Sequence, residues 1–333
     1  PAGVPQRDVW IGIDMRPRIR RGRHGLDGVK ADLSTRVASV NLPNPVMTAS
    51  GTAGHGTELA THLDLSSLGA VVVKSLHAEP WAGNPAPRIH ATPSGMINSV
   101  GLQGPGLAAW LEQDLPVLEA TKARVVVSIW GRTVDEFAAA ASMLATAPSC
   151  VVAVEVNASC PNLEDRRALF AHSATATSEV VDAARAARRP LWAKLSPNTP
   201  DLPEVAAAAA AAGAEAVTVA NTVLGMVIDT ETRHPVLGAG RGGLSGPAIR
   251  PVAVRAVFDT HEAHPDLPIV GVGGISSGDD AVQFLLAGAT AVQVGTATFA
   301  DPAAPARILA DLGRWCDHHG VATVTDLVGG AHG

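Results

Sequence analysis

Eight short apolar runs rich in β-branched residues, most followed by a segment of helical period, predict a (β/α)8 TIM barrel of the α/β class. Three observations carry this reading. Most runs stop abruptly at Ser, Asn or Gly, and eight is the number that closes a parallel barrel. A chain of 333 residues, 47% hydrophobic and 17% charged, is long enough to bury such a core. The expected organisation is a short N-terminal extension over residues 1–30 and a single barrel domain over residues 31–333. Arg16, Arg18, Arg20, Arg21 and Arg23 make the extension basic, and a solvated, poorly ordered segment is expected there, with lipid or phosphate contact as the competing reading.

The elements follow in order. Strands are expected at Val46 to Ser50 and Ala70 to Ser75, and residues 76–124 then form the largest insertion, between the second and third strands. The third strand is Val125 to Ile129, followed by a helix from Thr133 to Thr146 that Thr133 and Glu136 open as a capping box. The fourth strand, Val152 to Asn157, leads by way of a polar turn to a helix at Ser178 to Ala187. Leu191 to Ser196 is the fifth, and the alanine-rich helix Leu202 to Ala212 ends at Gly213. Ala216 to Asn221 is the sixth, with a helix later at Pro247 to His261. Ile269 to Gly274 and Ala291 to Thr296 complete the set around a helix from Ser277 to Ala287, whose start is marked by Ser277 ahead of Asp279 and Asp280. A doubly wound sheet would need a dinucleotide-binding turn after the first strand, and Gly51-Thr52-Ala53-Gly54-His55-Gly56 fits that fingerprint poorly.

Composition removes several functional classes. A net charge of −6 gives no general attraction for phosphate backbones, and the absence of Tyr removes common stacking platforms, so nucleic acid is not an expected partner. Cys150, Cys160 and Cys316 form no CxxC and suggest neither a disulfide framework nor a zinc site. The 12 histidines form no HxH or HExxH pattern, so no metal site is expected. No membrane span or secretory signal is expected, and a cytoplasmic setting follows.

In such a barrel the active site lies where the strands end. Ser50 and Gly51, Lys74 and Ser75, Asn157 with Cys160, Lys194 with Ser196, Asn221 and Thr222, Gly273 and Gly274, and Gly295 and Thr296 should therefore converge. Lys74 and Lys194 close apolar strands; burying an ammonium costs several kcal/mol unless an acceptor meets it, so each predicts an anionic ligand or redox group, against the alternative of a lysine that snorkels to the rim. The glycines after the seventh and eighth strands, with Gly242 to Gly246 ahead of the Pro247 helix, offer bare backbone to a phosphate. The thiol of Cys160, flanked by Asn157 and Asn162, is a candidate base or nucleophile, whereas Cys150 and Cys316 read as structural.

These stretches resemble the dihydroorotate dehydrogenases, more closely the cysteine-dependent class 1 enzymes and, within them, the NAD-linked class 1B catalytic subunit. The resemblance is carried by NPVMTASGTAG (44–54), VVVKS (71–75), GNPAPRI (83–89), PSGMINSVGLQ (93–103), VNASCPN (156–162), AKLSPN (193–198), ANTVLGM (220–226), GGLSGPAIRPVA (242–253), GVGGI (271–275) and AVQVGTA (291–297), all in family order. It implies FMN-dependent oxidation of dihydroorotate to orotate in pyrimidine biosynthesis. By similarity, Cys160 would take the C5 proton while hydride leaves C6 for flavin N5, and Asn98, Asn157, Asn162 and Asn221 would hold the pyrimidine, with Lys74 and Thr222 nearby. Lys194 would sit at the flavin's pyrimidine edge; Gly246, Gly273, Gly274, Gly295 and Thr296 would face its phosphate; and Ala49, Ser50, Gly51, Lys74, Ser75 and Asn157 would complete the cofactor site. The related two-subunit enzymes imply a homodimer of this chain joined to a subunit carrying FAD and a [2Fe–2S] cluster, because three cysteines cannot supply the four thiolates of such a cluster.

Elementary chemistry agrees with these roles. A free thiol of pKa about 8.5 is about 3% thiolate at pH 7, so a cysteine base needs help from its surroundings. Neutral amides can grip the alternating N–H and C=O edge of a pyrimidinedione, and a fixed ammonium stabilises the negative charge of a reduced flavin. The chain departs from the family pattern at Leu163 to His172, at Gly104 and at Trp130, where a bulky ring near the flavin rim is expected to reshape the pocket. Arg166 and Arg167 could lower the thiol pKa or meet a ligand carboxylate, or equally pair with Glu164 and Asp165 on the surface. Other readings are an oxidoreductase for another dihydropyrimidine or cyclic amide, a non-catalytic FMN-binding subunit, and a flavin-free lyase or isomerase.

Overall fold

The computed structural model describes residues 30–159 and 169–333. The basic N-terminal segment, Cys160, Asn162, Arg166 and Arg167 lie outside the described residues.

The chain opens with a hairpin, β1 (Thr35–Val37) and β2 (Val40–Leu42), in which alternate side chains are buried. Two barrel strands follow, β3 (Val46–Thr48) and β4 (Val71–Val72). A second hairpin, β5 (Ile89–Thr92) and β6 (Gly95–Asn98), and two short helices, α1 (Leu107–Gln113) and α2 (Leu115–Ala120), separate these from β7 (Val125–Ile129). The chain then alternates: α3 (Val134–Met143), β8 (Val151–Asn157), α4 (Ala174–Ala184), β9 (Leu191–Lys194), α5 (Leu202–Ala211) and β10 (Ala216–Val219). An excursion carries β11 (Val223–Gly225), β12 (Ile228–Asp229), β13 (His234–Pro235) and β14 (Gly242–Ser245). The last units are α6 (Arg250–Ala263), β15 (Ile269–Val272), α7 (Gly278–Leu286), β16 (Ala291–Val294), α8 (Ala297–Ala300) and α9 (Ala304–His319).

Eight parallel strands pair in the order β3-β16-β15-β10-β9-β8-β7-β4. The seam between β4 and β3 is bridged at Met47 and Ala70, and the Thr48 hydroxyl both donates to the Val72 carbonyl at 3.2 Å and accepts from its N–H at 2.8 Å. All eight expected strands are present, most of them ending about two residues earlier because the chain leaves the ladder before it turns over the barrel's rim.

The interior is divided by height. Its lower half is apolar, filled by Met47, Val72, Val126, Trp192 and Val270, and Val37, Val40 and Leu42 of the first hairpin close the N-terminal mouth. Toward the strands' C-terminal ends it turns polar, with Ser128, Glu155, Lys194, Thr218 and Gln293 buried. A second apolar layer joins the outer face of the barrel to the helices through Phe137, Phe284, Ile308 and Leu312.

Helix starts show which local signals act. Thr133 accepts from the Glu136 N–H at 3.2 Å, but Glu136 does not complete the box: its carboxylate reaches the Arg132 N–H and guanidinium. Ser277 caps α7 through the Asp280 N–H at 3.2 Å. The expected Ser178 helix begins four residues earlier at Ala174, capped by Ser173, and the Pro247 helix opens as one 3-10 turn before α6. Gly242 to Ser245, expected as a loop of free amides, is instead β14, part of an antiparallel sheet β11-β14-β6-β5 that roofs the barrel's C-terminal mouth.

Candidate active site

Beneath that roof lies a cleft of about 310 Å³, within the usual size of ligand pockets. Ala49, Ser50 and Gly51 enter from the end of β3, and Lys74 and Ser75 from beyond β4. Asn98 comes from β6, Asn157 from β8 and Lys194 from β9, with Asn221 and Thr222 after β10. The opposite wall is Gly246, Gly273 and Gly274, then Gly295 and Thr296. The described residues expected to converge at the strand ends line this one cleft, except Ser196, which is fully buried and accepts from the Asn198 N–H at 3.2 Å and from Asn198 Nδ2 at 2.9 Å. Cys160 and Asn162 are outside the described residues, although Ser159 borders the cleft.

Among the described residues of the lining, Lys74 and Lys194 are the only charged side chains. Lys194 is buried, and its Nζ lies 3.5 Å from Oε1 of Glu155, itself fully buried. Glu155 Oε2 accepts from Gln293 Nε2 at 2.8 Å and from the Thr218 hydroxyl at 3.2 Å. The Lys74 ammonium is pushed below its ordinary 10.5 by burial and, second, by the nearby Arg88 guanidinium. Arg88 donates to the carbonyls of Asn84 at 2.6 Å and Ala82 at 3.0 Å and to the Gln103 carboxamide. A net-negative chain therefore presents a cationic cleft, suited to an anion.

The asparagines are partly committed. Asn157 donates to Ser75 Oγ at 3.1 Å and accepts from the Ser159 N–H at 3.2 Å, while Ser75 Oγ sits 3.0 Å from Ser50 Oγ and 2.9 Å from Ser128 Oγ. Asn98 donates from Nδ2 to the Gly243 carbonyl at 3.3 Å, which leaves its oxygen available to a ligand. Asn221 accepts from the Thr222 N–H at 2.8 Å, which leaves its amide donors available. Asn198, missed in the sequence, holds the loop beyond β10: it donates to the Thr222 carbonyl and accepts from the Leu224 N–H, each at 2.9 Å.

The glycine wall is packed too tightly from behind to carry side chains. Gly274 has φ +78°, and a Cβ there would lie 2.7 Å from the Gly246 carbonyl oxygen and 3.0 Å from the Arg250 N. Gly246 has φ +92°, and its Cβ would meet Gly95 Cα at 2.7 Å. Asp280 accepts from the Ser276 N–H at 2.9 Å and hydroxyl at 2.8 Å and also pairs with Arg250, tying the starts of α6 and α7 together beside this wall.

Two expectations change. Trp130 does not line the cleft: it is buried against His77 (4.9 Å between ring centroids) and edge-on to Trp81 (5.5 Å), with Arg132 over the Trp81 ring at 4.6 Å. The third strand's end points into this cluster because α3 and the turn after β4 meet there. Gly104 is likewise removed from the cleft, paired with Trp81 through two backbone hydrogen bonds. The sequence reading also missed Glu155, although an acid two residues before Asn157 in an apolar strand shares its inward face and was a usable signal. The apolar lining by Ile89, Met96 and Phe299 carried no signal of its own.

Comparison with known proteins gives a consistent result. The family model described as dihydroorotate dehydrogenase matches residues 32–315. Among curated relatives, the dihydroorotate dehydrogenase B (NAD(+)) catalytic subunit of Desulforudis audaxviator is 48% identical over 305 residues, spanning 91% of this chain and 99% of its own. The protein of the same name from Geobacter metallireducens is 45% identical over 301 residues, spanning 90% and 98%.

Proposed function

The chain belongs to the dihydroorotate dehydrogenase family, and from that premise we propose that it oxidises dihydroorotate to orotate in pyrimidine biosynthesis, with FMN held in the cleft. The observation that carries the reading is a cleft whose only described charges are two ammonium groups, set across from a wall of glycine backbone. That donor set fits a flavin mononucleotide. Gly246, Gly273, Gly274, Gly295 and Thr296 would hold the phosphate, and Ala49, Ser50, Gly51, Lys74, Ser75, Asn157 and Lys194 the remainder.

FMN supplies the acceptor for the hydride that leaves substrate C6. Cys160 acts as the base at C5, taking the proton onto Sγ as the C5–C6 double bond forms; the substrate loses one proton and one hydride, a two-electron oxidation. Asn98, Asn157, Asn162 and Asn221 hold the pyrimidinedione and its carboxylate, and Lys74 and Thr222 lie beside them, so that a ligand lacking those polar groups strands buried donors at about 1–3 kcal/mol each. Lys194 would lie at the flavin's pyrimidine edge, where its charge would favour the reduced form.

The relatives' designation as NAD(+) catalytic subunits supports a partner that passes electrons onward. Three cysteines cannot ligate a [2Fe–2S] cluster, so the cluster and an FAD belong to a separate subunit bound to a homodimer of this chain. No described helix is long and apolar enough to cross a membrane.

An anaerobic absorbance scan tests the reading. Adding dihydroorotate should bleach the flavin band near ~450 nm, quickly in the wild type and far more slowly in Cys160→Ala. A yellow protein that dihydroorotate does not bleach sinks the substrate, and a protein that takes up no FMN sinks the cofactor. Affinity capture of the native protein without an FAD and iron–sulfur subunit removes the proposed partner.

A further inference from the structure

Among the described residues, Glu155 is the one buried acid facing the cleft's floor from behind, and nothing in the substrate or cofactor roles above uses it. It projects inward from the middle of β8, with Ser128 beside it in register on β7 and Asn157 one inward position nearer the cleft. Its side chain is 0% exposed. A carboxylate that deep costs several kcal/mol unless it is paired and hydrogen-bonded: Gln293 from β16 and Thr218 from β10 hydrogen-bond one oxygen, and the other, with no hydrogen-bond donor among the described residues, has only the Lys194 ammonium of β9 at 3.5 Å as its partner. The other described cation of the cleft, Lys74, has no acidic partner among the described residues. Two lysines at one cleft are thus treated differently. Lys74 is left to meet a ligand's charge, and Lys194 arrives already paired.

Core stability is a poor account of the pair, since buried ion pairs are frequently no more stabilising than apolar residues of similar size. Three strands contribute to fixing a single carboxylate, and the only lining group it reaches is Lys194. We propose that Glu155 is a positioning residue that anchors the Lys194 ammonium at the cleft floor and offsets part of its charge, so that the Glu155–Lys194 pair sets how readily the bound flavin is reduced. This rests on the FMN reading. An unopposed ammonium at the flavin's pyrimidine edge would favour the reduced, negatively charged ring more strongly; a paired one holds the flavin's potential lower, which keeps the electrons transferable to the next acceptor.

The test is an anaerobic potentiometric titration of the FMN-loaded protein without substrate, comparing wild type, Glu155→Gln and Glu155→Asp. Glu155→Gln keeps the shape and one oxygen to accept from Gln293 and Thr218 but removes the charge and the acceptor that faces Lys194, and should raise the equilibrium constant for flavin reduction at least about tenfold, a rise of about 30 mV for a two-electron couple. Glu155→Asp, which keeps the charge but draws it back by one methylene, should give a smaller rise, and it carries the test alone if Glu155→Gln does not fold. A purely structural Glu155 would lower the melting temperature and leave the potential in place. An unchanged or lowered potential in the folded variants overturns the proposal while the FMN reading stands; a wild-type protein that holds no FMN overturns both.

Discussion

Replacing Gly274 with alanine tests the glycine wall where the geometry is tightest. The residue sits at φ +78°, in the left-handed region that costs a residue with a Cβ about 1–2 kcal/mol. The added methyl would lie 2.7 Å from the Gly246 carbonyl oxygen, 2.8 Å from Arg250 Cβ and 3.0 Å from the Arg250 N. Two of those atoms are backbone, so relief requires moving the segment that walls the phosphate site, and overpacking of this kind costs about 1–3 kcal/mol more. The sum, about 2–5 kcal/mol, corresponds to a loss of at least about 30-fold in FMN affinity at 1.4 kcal/mol per factor of ten. The assay is fluorescence titration of the apoprotein with FMN and with riboflavin, which lacks the phosphate. FMN binding should weaken by that factor and riboflavin binding by less than about threefold. Gly320→Ala is the control: its φ is +68°, no atom lies within 4 Å of the added Cβ, and it sits at the end of α9 outside the cleft, so it should cost about 1–2 kcal/mol of stability and leave FMN affinity unchanged. FMN affinity within threefold of wild type in Gly274→Ala, or equal losses for FMN and riboflavin, would refute the assignment of the phosphate to this wall.

Three further outcomes are expected. The kcat/KM profile should fall as pH rises through the Lys74 value, which lies below the ordinary 10.5 because burial and Arg88 disfavour the charged form, and Lys74→Met should abolish that alkaline limb while lowering kcat/KM overall. Trp130→Phe should lower the melting temperature yet leave kcat/KM within about twofold, because the ring packs against His77 and Trp81 and not in the cleft; a large change in KM would contradict its placement. Thr133→Ala removes the hydroxyl that accepts from the Glu136 N–H and should cost about 1 kcal/mol, a melting shift of about 1–2 °C by calorimetry, with activity unchanged.

The barrel was legible in the sequence because each strand buried on both faces is a continuous β-branched run, as in Val125 to Ile129, whose expected and observed limits coincide. The cleft was legible for the same reason: in a parallel barrel the residues that stop each run are brought to one end by topology alone. The roof was not. Gly242 to Ser245 has neither alternation nor β-branched residues, and its pairing with β6 depends on a neighbour no local signal identifies. Trp130 was misplaced because strand-end position fixes height in the barrel but not the direction of the first residue beyond it. The closing hairpin β1–β2 was too short to register, at three residues a strand. Glu155 was read as part of a strand, and only the spatial meeting of β8, β9, β10 and β16 gives it partners.

The roof also constrains the order in which the molecule assembles. Asn98 on β6 donates to Gly243 on β14 across 145 residues of chain, and β5 and β11 flank that central pairing. Bringing such distant segments together from an open chain carries a large loop-closure entropy with little local reward. Most of that separation vanishes once β4 through β10 have wrapped into the barrel, because the two excursions then leave the same rim. Gly273, Gly274, Gly295 and the paired Lys194 thus belong to the barrel itself, whereas Gly246 and the surface that would recognise the pyrimidine belong to the roof, whose closure is expected to come later. A ligand large enough to touch both can act as a late folding partner, and slow recovery of activity after complete unfolding would be expected to outlast recovery of the barrel's own secondary structure.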